Sequence, residues 1–181
     1  MSPTPANASV ADLVLAVHPT AKGFGWAVFE SPLVPIDWGT AGTNFHRIAK
    51  LLTSLEEIMD RYEPAVLALE EFDSDDSRRA PRIRKVANSI VSLGHMRGMH
   101  VARYDRDAVR TCFSRFGAQS RYEIAEVIAR HIAALAPKLP SKRRAWESEK
   151  ARQCIFDAAA VALTYFASLG DCIEPSEPAA S

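Results

Sequence analysis

The run Leu13-Val14-Leu15-Ala16-Val17 constrains this chain more than any other feature. It has no polar alternation, so a strand formed here must be buried on both faces. Such a strand belongs inside a sheet that is covered on both sides. Phe24 to Glu30 follows a short Gly-containing turn and reads as a second strand. Val34 to Trp38, after Ser31-Pro32, reads as a third. Connections this short make an antiparallel meander. Asn44 is a plausible N-cap for a helix reaching Tyr62, with Ile48, Leu51, Leu52, Leu55, Ile58 and Met59 on one stripe. Pro64 closes that helix, and Val66 to Glu70 is a short apolar strand ending in carboxylates. A polar loop at 72–81 precedes a helix over 82–97 and a fifth strand from Met99 to Tyr104. Helices are expected at 105–115, 119–135 and 147–168.

The order β-β-β-α-β-α-β-α-α-α fixes the sheet. Strands that arrive through helical crossovers pair in parallel beside the meander. The expected fold class is α/β: a five-stranded mixed sheet with helices on both faces, an element order that matches the ribonuclease H-like fold. The 181 residues, 48% hydrophobic, suit one domain. We expect it over 11–170, between a flexible leader at 1–10 and a flexible tail at 171–181. No apolar run approaches the roughly 20 residues that span a bilayer, and Met1 to Val10 lacks the pattern of a secretory signal. A cytoplasmic location without membrane contact is therefore the expectation. Cys112, Cys154 and Cys172 lack CxxC spacing, which argues against a disulfide framework or a structural zinc site.

The formal net charge is zero, yet the charges are segregated. Residues 1–77 carry 4 basic and 12 acidic side chains, residues 78–153 carry 18 and 6, and residues 154–181 carry 0 and 4. The middle segment is compatible with a polyanionic partner, and equally with solvated helix faces. Two basic clusters stand out. Arg78, Arg79, Arg82, Arg84 and Lys85 follow the strand that ends at Glu70, and Lys142-Arg143-Arg144 precedes the last helix. Both are placed for phosphate-backbone contacts.

In this architecture the ends of the first and fourth strands lie side by side, bringing His18 next to Glu70-Glu71. Asp157 interrupts an otherwise apolar stripe from Ile155 to Leu163. A carboxylate there needs a cation, a charge partner or hydrogen bonds. Convergence of His18, Glu70 and Asp157 would suit a divalent metal. Each residue also has a plainer role: Asp157 could pair with Arg152 or Arg121, Glu70 and Glu71 could open the charged loop, and His18 could be a turn residue.

The same residues resemble the RuvC-type Holliday junction resolvases. The segment Val17-His18-Pro19-Thr20-Ala21-Lys22-Gly23-Phe24-Gly25-Trp26 is similar to the family's first-strand motif. Val66-Leu67-Ala68-Leu69-Glu70 is similar to its second carboxylate strand, and Asp157 to Thr164 to the helix bearing its last aspartate. Ser89 to Met99 resembles its helix leading into the fifth strand, while Val109-Arg110 and Gly117 to Arg121 occupy the places of a lysine-bearing segment. The resemblance implies a metal-dependent, structure-selective endonuclease acting on branched DNA, a homodimer, with two Mg²⁺ or Mn²⁺ ions held by four acidic-type ligands. It makes Glu70 the ligand shared between metals, Asp157 the second, and Arg110 and Arg121 the phosphate contacts, with Arg121 in the catalytic set. The sequence departs from the pattern twice. His18 stands where the family has its first aspartate, and Cys154 stands one turn before the last. Imidazole brings no negative charge and suits Mn²⁺ or Zn²⁺ better than Mg²⁺. Glu149 or Glu147 could compensate if the last helix starts unwound; Glu71 should face the opposite side of the sheet. The alternative reading is a decayed nuclease that still binds nucleic acid.

Overall fold

β1 (Val14–Thr20) and β2 (Gly23–Ser31) form a hairpin closed by Ala21-Lys22, and β3 (Val34–Gly42) continues the meander. This computed structural model describes residues 12–42, 48–71, 80–142 and 152–174. α1 (Ile48–Tyr62) leads to β4 (Val66–Glu70), and α2 (Ala80–Met96) to β5 (His100–Tyr104). α3 (Arg106–Phe113), α4 (Arg121–His131) and α5 (Gln153–Ser168) complete the order. The sheet runs β3-β2-β1-β4-β5, antiparallel across β3, β2 and β1 and parallel across β1, β4 and β5. This is the expected five-stranded mixed sheet.

The alternation of side chains along a strand sorts the core into two layers. Leu15, Val17, Leu67 and Leu69 pack with the apolar stripes of α1 and α2. Val14, Ala16, Val66 and Ala68 face α3, α4 and α5. Alanines on that face let α5 lie close to the sheet, and α5 is buried along nearly its whole length. Continuing the alternation, His18 and Glu70 emerge on the α5 side at the strand ends.

Four boundaries differ from expectation, and those of the two strands have a clear physical reason. β1 continues past Val17 to Thr20, taking in Pro19. Its pairing with β4 stops at Val17, so Pro19 lies where one side of the strand has no ladder to supply with an N–H. β3 extends to Gly42 because β2 pairs with it throughout, Gly39 opposite Trp26. Gly39 has only hydrogen where a Cβ would press within 3.1 Å of the Trp26 ring. The helix expected at 105–115 gives way to a 3₁₀ turn at Ser114–Phe116, and the one expected at 119–135 stops at His131, before a separate 3₁₀ turn at Ala136–Lys138. The N-cap at Asn44, the first turns of a helix from 147 and the leader at 1–10 lie outside the described residues.

At Gly25 the backbone of α5 comes up against the sheet. A Cβ there would sit 2.2 Å from the Cys154 carbonyl oxygen and 2.8 Å from the Cys154 Cβ. Gly25 also pairs with His18 in the β1–β2 ladder, so this approach fixes the height of α5 above the strand ends. Gly25→Ala should therefore lift the start of α5 and cost about 1–3 kcal/mol in urea unfolding. An unchanged midpoint would show that α5 does not rest on this glycine.

Candidate functional site at the strand ends

The chain end of β1, the chain end of β4 and the first turn of α5 meet at one spot, and Arg121 reaches it from the start of α4. His18 is 5% exposed, and Glu70 and Asp157 are each 8% exposed. His18 Nδ1 lies 3.0 Å from Glu70 Oε2. On the other edge of the ring, His18 Nε2 lies 3.8 Å from Asp157 Oδ2 and 3.3 Å from Arg121 Nη2. Arg121 grips Asp157 with two donors: Nε donates to Oδ1 at 3.0 Å and Nη2 to Oδ2. Such a fork is the strongest common form of ion pair. Gln153, one turn before Asp157, donates to Asp157 Oδ1 at 3.3 Å and to the Arg121 carbonyl at 3.2 Å.

Local structure aims Arg121 at the cluster. Ser120 caps α4, its hydroxyl accepting from the Glu123 N–H, while Glu123 Oε2 accepts from the Ser120 N–H. That capping box fixes where the helix begins, and Arg121 is its first residue.

The charges polarise one another. Burial by itself lowers the pKa of His18, but the carboxylates of Asp157 and Glu70 outweigh it and hold the imidazole above its ordinary 6.5. Burial pushes Glu70 up, yet the approach of His18, aided by Arg106 and Arg121, holds it below its ordinary 4.5.

The structure brings His18, Glu70 and Asp157 to one spot, and Arg121, which the resemblance makes a phosphate contact, is there paired with Asp157. Of the two partners open to Asp157, it takes Arg121; Arg152 stays exposed at the start of α5. Cys154 is buried against Gly25. Glu71 turns away from the cluster to Arg103, at 3.4 Å. Arg110 is exposed on α3, 3.5 Å from Asp107. Arg82, Arg84 and Lys85 lie at the start of α2, which packs on the other sheet face; Arg84 and Lys85 line a groove shared with α1. Arg78, Arg79, Arg143, Arg144, Glu147 and Glu149 lie outside the described residues. Two participants escaped the sequence reading. Gln153 stands one turn from Asp157, and Arg106 one turn from Arg110. The i,i+4 spacing was their only signal.

Arg106, Arg110, Gln119 and Arg121 form the mouth of a recess floored by Glu70, Asp157 and Ala160, with a volume of about 20 Å³. The same four residues border a wider cleft of about 680 Å³, walled by Ser120, Tyr122, Glu123, Pro140 and Gln153. Among the described residues, no group of three or more His, Cys, Asp or Glu is arranged to hold a metal ion.

The sheet order and the helices on both of its faces define a ribonuclease H-like fold, with two carboxylates, Glu70 and Asp157, beside the ends of its central strands. No protein-family model matches the chain. The structure is similar to T. thermophilus RuvC in complex with Holliday junction substrate, with a TM-score of 0.66 and 17% identity, over 88% of this chain and 97% of that one. It is also similar to the fowlpox virus resolvase complexed with substrate Holliday junction DNA, with a TM-score of 0.53 and 15% identity, over 86% and 99% of the two chains. In sequence, it is 20% identical over 126 residues to the crossover junction endodeoxyribonuclease RuvC of Endomicrobium trichonymphae, covering 64% of this chain. That match spans 66% of the relative's own length, just under two thirds. At these identities the likeness is one of fold, and the fold is that of the RuvC-type resolvases.

The pKa shifts give a stability test. The His18 contribution is complete below pH 6.5 and is lost as pH rises through its raised folded value. The Glu70 contribution is complete above pH 4.5 and is lost as pH falls through its lowered folded value. The excess stability of wild type over His18→Gln should thus be greatest between those two values and shrink on the alkaline side; a flat difference in Tm from pH 5 to 9, read by thermal denaturation, would contradict the ion pairing. In a double-mutant cycle, Arg121→Gln alone should cost roughly 3 kcal/mol, the low end for a buried pair because the Arg121 side chain keeps 29% exposure. Adding Asp157→Asn should recover part of that loss.

Proposed function

We propose that the protein is a structure-selective branched-DNA-binding protein of resolvase type that engages junctions through the face carrying β1, β4 and the start of α5. The observation that carries this reading is the arginine-lined cleft beside the recess that holds Glu70 and Asp157, in a fold shared with junction resolvases. Arginines suit the paired oxygens of phosphate groups. A homodimer, which would present two such faces to a two-fold junction, is part of the proposal.

The relatives' type of chemistry raises the question of Mg²⁺ or Mn²⁺. A two-metal site needs ions roughly 3.5–4 Å apart and carboxylate oxygens directed at them. Here both Asp157 oxygens are gripped by Arg121, and Glu70 is paired with His18. The recess of about 20 Å³ has space for roughly one water. In this arrangement the donor set does not fit two divalent ions, and we derive no cleavage step through them. Metal-dependent cleavage with an altered site is the second reading. It is favoured by the two carboxylates, Glu70 and Asp157, that stand together at the strand ends.

A labelled four-way junction and a duplex of equal length decide between the readings. We expect the junction to bind at least about tenfold more tightly, with affinity falling as salt rises. Equal affinities would reject the proposal. We further expect no strand cleavage in Mg²⁺ or Mn²⁺; cleavage that disappears in Glu70→Gln would establish the second reading.

A further inference from the structure

We infer that the cleft bordered by Arg106, Arg110 and Arg121 binds a phosphodiester group directly, with no bridging metal ion, so that these arginines serve as the cations of the site. The inference rests on the branched-DNA reading and names the element of the ligand that this cleft takes.

The charge distribution runs opposite to that of a cation pocket. Inside the recess, His18 Nδ1 lies against Glu70 and the Arg121 guanidinium is paired with Asp157. Outside it, Arg106 and Arg110 stand one turn apart on α3 and both line the recess and the cleft. Like charges at this spacing repel by a few tenths of a kcal/mol, roughly what an i,i+4 pair is worth. Asp107 offers Arg110 only a 3.5 Å contact from a side chain that is 88% exposed. Glu123 is the one carboxylate among the described residues lining the wider cleft. Its Oε2 is occupied by the N–H groups of Gln119 and Ser120, at 2.9 and 2.8 Å. Beside an Arg121 already paired with Asp157, Arg106 and Arg110 therefore share the cleft with one carboxylate whose Oε2 is already occupied. An anion placed among them relieves the Arg106–Arg110 repulsion and gains charge-assisted hydrogen bonds.

Size and access agree. A cleft of about 680 Å³ accommodates a phosphate with its neighbouring sugars. The inner recess, at about 20 Å³, admits little more than a water molecule. The phosphate thus sits at the mouth, against Arg121, and Asp157 holds that guanidinium in place. Arg121 is a positioning link between the buried carboxylates and the ligand.

The test measures binding of a labelled four-way junction and of duplex DNA, in EDTA and in Mg²⁺ at matched ionic strength, for wild type and Arg106→Gln/Arg110→Gln. We expect wild-type affinities in EDTA and Mg²⁺ to agree within about twofold. The double variant should bind at least about tenfold more weakly, and its salt slope should fall by about one for each arginine lost. Its melting temperature should be unchanged, since both side chains are exposed. Affinity that rises tenfold with Mg²⁺, or stoichiometric Mn²⁺ binding seen by electron paramagnetic resonance, would overturn the inference. Full junction affinity in the double variant would overturn it too, while leaving the branched-DNA reading intact. If junction and duplex bind alike, that reading falls, and the pocket is still judged by whether the double variant loses the shared affinity in EDTA.

Discussion

The grip of Arg121 on Asp157 is the interaction on which the candidate site depends. A carboxylate on a helix buried along nearly its whole length needs its charge answered within a few ångströms. Arg121 answers it with a two-pronged contact, and His18 links the pair to Glu70. The result is a short chain of paired side chains across four elements that are far apart in sequence. Remove Arg121, and among the described residues Asp157 keeps only Gln153 at 3.3 Å and the His18 ring at 3.8 Å.

That chain can exist only because α5 lies close on the sheet. Gly25 and the alanines of β1 and β4 form a floor low enough for the Cys154 turn to settle on it. The capping box of α4 then holds Arg121 at the height where Asp157 arrives. Packing and electrostatics are coupled here. The glycine sets a distance, and the distance lets a guanidinium act as the counter-ion.

The same geometry turns both strand-end carboxylates inward to protein partners, Glu70 to His18 and Asp157 to Arg121. What faces solvent is the cleft rim of Arg106, Arg110 and Arg121, a surface suited to anions.

Much of this was legible in the chain. The unbroken apolar runs at Leu13–Val17 and Val66–Leu69 marked the central strands, and strand periodicity placed His18 and Glu70 on one face with Glu71 on the other. Connection lengths set the parallel and antiparallel pairings. Boundaries were less legible where pairing overrides composition, as at Pro19 and at Gly39–Gly42. Gln153 and Arg106 were missed because a glutamine or arginine at i,i+4 is ordinary on any helix until its neighbours are known.

The sequence by itself determined the sheet, its two buried faces and the isolation of Asp157 in an apolar helix, because these follow from local periodicity and from the cost of burying charge. Only the tertiary structure decided which cation Asp157 takes. Arg152 and Arg121 were equally open to it. The choice fell to Arg121, 36 residues away, because the packing of α4 on α5 carries its guanidinium into the recess while Arg152 stays in solvent.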